Sequence, residues 1–327
     1  TRDNLAVRMS EQEFEEVIDT NLTGAFFCAK IAGKSMMKAK KGRMINISSI
    51  SGVRGNAGQI NSCAAKAGLI GMTKCLAKEL AARGYREIVV TGIEIASWGA
   101  DLPGKPEVTS LIEAICAAVP ELRIRLGSLE PRIVTEEFCE RLRVLPNLCP
   151  QFHLSMQSGC DTVLSRMKRK YDTARYFESV ERLNRHFPGC AVTTDMIVAF
   201  PGETEEEFEE SLSFIRKCAF ADMHIFPYSR RPGTPADRMS DQHPNAVKED
   251  RSRRAIAIAE SMNLAYRETM IGTKQEILFE EVQDGLFVGH APNYMKIYMR
   301  GEDLHNEIRT VIVEKIHKDG LFATEIS

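Results

Sequence analysis

The chain has 327 residues, 43% of them hydrophobic and 27% charged, the composition of an ordinary folded protein with enough apolar side chains for one large domain or two smaller ones. A formal net charge of −2 gives neither a strongly basic nucleic-acid footprint nor a polybasic membrane surface, and leaves only local sites for such partners. No apolar run is long enough to span a bilayer, "TRDNLAVRMS" has no signal-peptide core, and the nine cysteines stand singly, so the expected location is the cytoplasm.

Ser10 with Glu13 forms a capping box, and Phe14, Val17, Ile18, Leu22, Ala25, Phe26 and Ala29 recur at helical spacing up to "KAKKG". One long helix is expected there, with Gly42 as its stop. Residues 43–48, "RMINIS", read as a buried strand, and Leu69, Met72, Leu76 and Leu80 make a second helix from about Ala64 to Gly84. A chain that opens on Thr rather than Met reads as a fragment.

Beyond Gly84 the strand-like runs "REIVVTGI", "LRIRLGSL", "QFHLSMQ", "AVTTDMIVAF" and "DMHIFPYS" alternate with amphipathic stretches at 107–118, 135–144, 173–186 and 205–218. Such alternation predicts parallel strands with crossover helices, here part of a barrel. A charged helix from about Asn245 to Met270 follows, then "KQEILFEEV", "GLFVGH", "YMKIYM", "IRTVIVEKI" and "GLFATEI". Short strands so closely spaced predict a small closed β-barrel of the oligonucleotide-binding sort.

"TRDNLAVRMSEQEFEEVIDTNLTGAFF", "GRMINISSISGVRGNAGQ" and "AAKAGLIGMTKCLAKELAARG" carry a resemblance: residues 1–84 look like the middle of a 3-oxoacyl-acyl-carrier-protein reductase, a short-chain dehydrogenase/reductase. The resemblance implies that Ser49 hydrogen-bonds a substrate carbonyl, that Lys66 binds the nicotinamide ribose and lowers a tyrosine pKa, and that Asn21 holds a relay water. NADP is the implied cofactor and acyl carrier protein the implied partner. Taken singly, each residue also fits a plain role: a satisfied core amide, strand-end turn chemistry, a solvated lysine. Together, in order and at the family's spacing, they point to ancestry. The expected tyrosine is replaced by Ser62, whose aliphatic hydroxyl is too weak an acid for the role, and loss of such a proton donor costs on the order of 10²–10⁴ in rate. The Gly-rich turn that seats the dinucleotide pyrophosphate in this family is expected ahead of Thr1.

"RIRLGSLEP", "FHLSMQSGCDTVLSRMKRKY", "TTDMIVAFPGETEEEFEES" and "HIFPYSRRPGTPA" carry a second resemblance. Residues 85–327 look like a radical S-adenosylmethionine tRNA methylthiotransferase of the kind that acts on threonylcarbamoyl-adenosine beside the anticodon. Strand C-termini and their loops line barrel active sites, which places Gln157, Ser158 and Asp195 where the S-adenosylmethionine of this family is held. "PGETEEEFEES" has a plainer reading as helix-start chemistry, with Thr204 as cap and Glu205 to Glu207 against the helix dipole. "MKRKY" suits phosphate or a solvated face. The C-terminal barrel resembles the family's RNA-binding TRAM domain, with Lys274, Lys296, Arg300 and Arg309 toward tRNA phosphates and Tyr294 or Tyr298 as a stacking surface.

The family's radical chemistry uses two 4Fe-4S clusters, one held by a Cys-x-x-x-Cys-x-x-Cys loop upstream of the segment that begins at Gly84. Here Cys139, Cys149 and Cys160 are ten and eleven residues apart, in different predicted elements, far from cluster spacing, and all nine cysteines read as structural. The expected architecture is α/β: a Rossmann fragment (1–84) joined within "AARGYREI" to a partial radical-SAM β/α barrel (85–270), then a small C-terminal β-barrel (271–327). The expected function is that of a tRNA methylthiotransferase-derived chain, inactive for want of cluster cysteines. The alternatives are an NADPH-dependent 3-oxoacyl-acyl-carrier-protein reductase and a non-catalytic tRNA-binding remnant.

Overall fold

The computed structural model describes residues 2–39, 44, 46, 48–49, 56–81, 85–93 and 107–326. Ser10 caps α1 (Glu11–Ile18): its side chain accepts the Glu13 N–H while the Glu13 carboxylate accepts the Ser10 N–H. The helix then widens into a π turn over Asp19–Thr23 and continues as α2 (Gly24–Ala39). The single long helix expected from periodicity is therefore one rod with a local bulge, where Thr20 Oγ1 and Asn21 Nδ2 donate back to the Glu16 and Val17 carbonyls. α3 (Ile60–Ala81) crosses it closely at Gly68, where a Cβ would stand 2.7 Å from Leu22 Cδ2. The predicted stop at Gly42, residues 43, 45 and 47 of the predicted strand and the junction at Gly84 lie outside the described residues.

What is described of that strand, β1 (Ser48–Ser49), pairs in parallel with β3 (Gly92–Ile93). β2 (Glu87–Val90) pairs in parallel with β4 (Arg123–Leu126). Parallel bridges from Ile124 to Leu148 and from Leu129 to Leu154 carry the run to β5 (Gln151–His153), which pairs with β6 (Ala191–Val198), which pairs with β7 (Asp222–Pro227). From β4 onward the strands follow one another in chain order, as expected of consecutive βα units. The crossover helices are α4 (Val108–Ala118), α5 (Glu136–Leu142), α6 (Asp161–Arg166), α7 (Thr173–His186) and α8 (Glu205–Cys218).

The strand period of two sorts side chains between faces. Ile124, Leu126, Phe152, Leu154, Val192, Met196 and Val198 point outward, into one core with Ile112, Phe138, Tyr176, Leu183, Phe208 and Ile215 from the helices. Each such side chain contributes about 1.5–3 kcal/mol by leaving water. Their neighbours Arg123, Arg125, Gln151, His153, Thr193, Asp195 and His224 share the other, concave face.

α9 (Asn245–Thr269) packs on β7 and leads to β8 (Lys274–Gln283), β9 (Leu286–His290), β10 (Lys296–Met299), β11 (Ile308–His317) and β12 (Gly320–Glu325). These five strands close in the order β10-β12-β11-β8-β9 around a core of their own, including Ile277, Phe279, Ile297, Val311 and Val313 with Phe287 at its margin. Closure needs glycine at the tightest point, for a Cβ on Gly289 would stand 2.3 Å from the Leu278 carbonyl oxygen. No helix among the described residues is long and apolar enough to cross a membrane.

Candidate functional site

The polar groups of the large sheet gather on its concave face. His153, from β5, has Nδ1 3.1 Å from Thr193 Oγ1 and Nε2 3.3 Å from Asp195 Oδ2. Gln151 Nε2 donates to the same Thr193 hydroxyl at 3.2 Å. The register sets Asp195 opposite His224 on β7. The hydrogen bond from His153, with the charge of that ring and of His224, holds the Asp195 carboxyl below the usual range. At neutral pH the face therefore presents a carboxylate, 30% exposed, between two imidazoles.

Of the residues expected to line a cofactor, the structure joins two. Gln157 sits in left-handed backbone conformation, φ 72°; its N–H donates to the Asp195 carbonyl and its own carbonyl accepts from Ile197, both at 2.9 Å. Ser158 is fully buried, its hydroxyl 3.2 Å from Ser211 Oγ of α8 and accepting the Cys160 N–H, so it ties the loop to the helix behind. His153 and His224 belong to no motif that the sequence alone marks as a site. The signal for His153 was available in the alternation of "QFH", which puts it on the face of Gln151.

The loop after β6 enters α8 through Thr204, which caps the helix in a reciprocal box with Glu207. Ala199 and Gly202 both have positive φ. The tight turn is cinched by Glu203, fully buried, which accepts the Ala199 N–H at 2.6 Å and Arg251 Nη1 at 2.8 Å. Burial pushes the Glu203 pKa up, against the pull of those two donors.

The C-terminal barrel seats against the concave face from one end. Arg123 donates to the Glu276 carbonyl at 2.6 Å and Arg125 to the Pro292 carbonyl at 2.8 Å. Tyr294, 41% exposed, stacks on His290 with ring centroids 4.7 Å apart and has the Arg125 guanidinium 4.6 Å from its centre. Tyr298 is buried, donating to Asp319 at 2.5 Å, and is unsuited to stack on a base. Lys296 bonds Asp319 and Gln283, while Arg309 lies between Glu307 and Glu325. Lys274 and Arg300 are exposed.

In the first segment Asn21 lies in the π turn, and Ser62 and Lys66 lie one turn apart on α3. Ser62 is buried, its N–H donating to Asn61 Oδ1, while the Asn61 amide holds the Arg2 and Glu13 carbonyls. The Ser49 side chain lies outside the described residues.

The thiols do not fit an iron-sulfur cluster. Cys116, Cys139, Cys149, Cys160, Cys190 and Cys218 are buried in separate elements, and among the described residues no three of His, Cys, Asp and Glu converge as a metal site. Burial pushes Cys116, Cys139 and Cys149 up to about 11, and Cys190 and Cys218 to about 12, which favours the thiol over the ligating thiolate.

Residues 1–102 match the family model described as short chain dehydrogenase, and residues 74–215 that of the Radical SAM superfamily, so the two matches overlap over 74–102. The chain is similar to the threonylcarbamoyladenosine tRNA methylthiotransferase MtaB of Bacillus subtilis, 39% identical over 245 residues, which is 73% of this chain and 54% of that protein. MtaB of Thermotoga maritima is 34% identical over 246 residues, 75% of this chain and 56% of its own length. The tRNA-2-methylthio-N(6)-dimethylallyladenosine synthase of Acidothermus cellulolyticus is 35% identical over 255 residues, 76% and 51% respectively. The chain spans about half the length of the curated relatives it matches.

Proposed function

We propose that this chain is a tRNA methylthiotransferase-derived protein that holds tRNA but does not itself carry out methylthiolation of the threonylcarbamoyl-adenosine beside the anticodon. The observation that supports the reading is the seat of the C-terminal barrel on the large sheet through Arg123 and Arg125, which joins a candidate RNA-binding module to the sheet that carries Asp195. The sheet's own groups suit a cationic nucleoside. Asp195 offers a carboxylate, and Gln157 fixes the backbone next to it. These residues would hold S-adenosylmethionine, which supplies a sulfonium bearing an adenosyl and a methyl group. No radical step is derived, because the thiols described above do not fit the cluster that such a step requires.

In this reading residues 85–270 are the sheet unit and 271–327 the RNA-binding unit, with Lys274 and Arg300 as the cations best placed for phosphate. Lys296 and Arg309 already meet carboxylates, which lowers what each adds to phosphate binding. Titration of the full chain with labelled tRNA at low and moderate salt tests it. Saturable binding that weakens as salt rises is expected, and a signal that never changes with tRNA, even at low salt, overturns the reading.

The match over residues 1–102 favours a second reading, ketoacyl reduction with NADPH on acyl carrier protein. Against it stands Ser62, buried and without a phenol at the position of the proton donor. NADPH oxidation with a ketoacyl substrate is the direct assay, and no turnover is expected.

A further inference from the structure

Four polar side chains on the concave face form one chain of hydrogen bonds. Gln151 and His153 stand two apart on β5, Thr193 and Asp195 two apart on β6, so the strand period puts all four on one face. The register sets His153 directly opposite Thr193, and its Nδ1 lies 3.1 Å from the Thr193 hydroxyl. The other two contacts run diagonally, from Gln151 to Thr193 Oγ1 at 3.2 Å and from His153 Nε2 to Asp195 Oδ2 at 3.3 Å. Gln151 is buried, so one end of the chain is anchored out of water, while Asp195 at the other end remains open to it.

A threonine hydroxyl owns one hydrogen, and a neutral imidazole carries its proton on one nitrogen only. Two directions are therefore open to the chain. If Thr193 donated to Gln151 and accepted from Nδ1–H, a bare Nε2 lone pair would face the Asp195 carboxylate at 3.3 Å, acceptor against acceptor. In the other direction the Gln151 amide donates to Thr193, Thr193 donates to Nδ1, and Nε2–H donates to Asp195, so that every contact holds one hydrogen. The carboxylate decides between them, because the partner of one ring nitrogen fixes the state of the other. Among the described residues His153 is the one side chain that donates to Asp195, and it does so through Oδ2.

We infer that Gln151 and Thr193 are positioning residues, which hold the neutral His153 ring with its proton on Nε2 so that His153 orients the Asp195 carboxylate for a cationic ligand on Oδ1. Thr193 pins the ring through Nδ1, and Gln151 turns the Thr193 hydroxyl toward it. A ring without that donor is free to rotate, and the carboxylate loses its fixed partner. The ligand half of the inference rests on the reading that Asp195 meets S-adenosylmethionine, whereas the proton position on His153 is independent of it.

The test uses the full chain with nitrogen-15 in its histidine rings, whose two nitrogens resonate far apart and report which one bears the proton. His153→Gln identifies the signals by their loss. At about pH 8, above the ordinary imidazole range, the parent is expected to carry the proton on Nε2, with Nδ1 as a hydrogen-bonded acceptor. Thr193→Val should move the Nδ1 resonance toward that of an unbonded lone pair, and Thr193→Ser, which keeps the hydroxyl, should leave it in place. Titration with S-adenosylmethionine gives the second readout: Thr193→Val should weaken binding about tenfold, Gln151→Met by less, and Thr193→Ser hardly at all. A proton on Nδ1 in the parent, or an Nδ1 resonance unmoved in Thr193→Val, overturns the inference whatever the ligand does. If the resonances behave as expected but Thr193→Val and Gln151→Met bind as tightly as the parent, the positioning role is overturned. If the resonances behave as expected and the parent takes up no S-adenosylmethionine, the ligand reading fails while the hydrogen-bond chain stands.

Discussion

Arg125 and Glu87 meet through two parallel hydrogen bonds of 2.9 Å, Nε to Oε1 and Nη2 to Oε2, with both side chains about 5% exposed or less. The same guanidinium continues to the Pro292 carbonyl, so one buried fork joins β2, β4 and the C-terminal barrel. Its geometry is bidentate, the strong form of such a pair.

Removing one partner strands the other in a low-dielectric setting. Arg125→Met should lower stability by about 3–5 kcal/mol, because Glu87 is left buried and unpaired. Glu87→Leu in the same chain should recover most of that loss, since apolar residues of similar size replace a buried pair at little cost. Urea unfolding of the parent, the single and the double variant measures both effects, and a double variant as unstable as the single contradicts the argument.

The C-terminal barrel should fold when expressed alone, provided the end of α9 comes with it. Met270 belongs to its core, Tyr266 packs there and accepts from Asn293 at 2.9 Å, and Arg267 donates to the Lys318 carbonyl at 3.0 Å. A fragment of residues 263–327 should therefore melt cooperatively at a higher temperature than one of 273–327. Equal melting curves would mean that the helix end adds nothing.

Much of this arrangement is legible in the sequence because it is local. The Ser10 and Thr204 capping boxes, the helices at 173–186 and 205–218 and the five strands after 270 follow from spacing within a few residues. The six-residue helix at Asp161–Arg166 is too short to show a period. The site is less legible, since parallel pairing brings His153 to Asp195 across 42 residues and the packing of α9 brings Arg251 to Glu203 across 48. Nothing in either stretch alone specifies its partner. Family resemblance pointed to Asp195, Gln157 and Ser158 together, and only burial separates Ser158, turned into the core, from the other two.

Acid should act on the barrel through Asp319. Hydrogen bonds from Lys296 and then Tyr298 hold its pKa down at about 2, against 3.8 for the free side chain. A carboxylate with a depressed folded pKa contributes stability above its unfolded value and loses it as pH falls through the folded one. Asp319→Asn should thus be less stable than the parent at pH 6, with the gap closing between about pH 3.8 and 2. The group is 64% exposed, so solvent screening keeps the gap small, and a gap independent of pH would refute its electrostatic origin.

Ser62→Tyr should not produce a ketoacyl reductase. The residue is only 7% exposed and abuts Asn61, whose amide holds two backbone carbonyls, so a phenol there has to displace packing before it can meet a substrate. NADPH consumption by the variant, at any rate above the parent, would show that the first segment retains a working nucleotide site.

In the proposed function the chain holds tRNA, while its buried thiols, spread over separate elements, do not support the radical step. Anaerobic reconstitution of the full chain with iron and sulfide, read by iron content, by absorbance in the sulfur-to-iron charge-transfer region and by cleavage of added S-adenosylmethionine, tests it most directly. No bound cluster and no cleavage are expected. Recovery of about four irons per chain together with S-adenosylmethionine cleavage would contradict it.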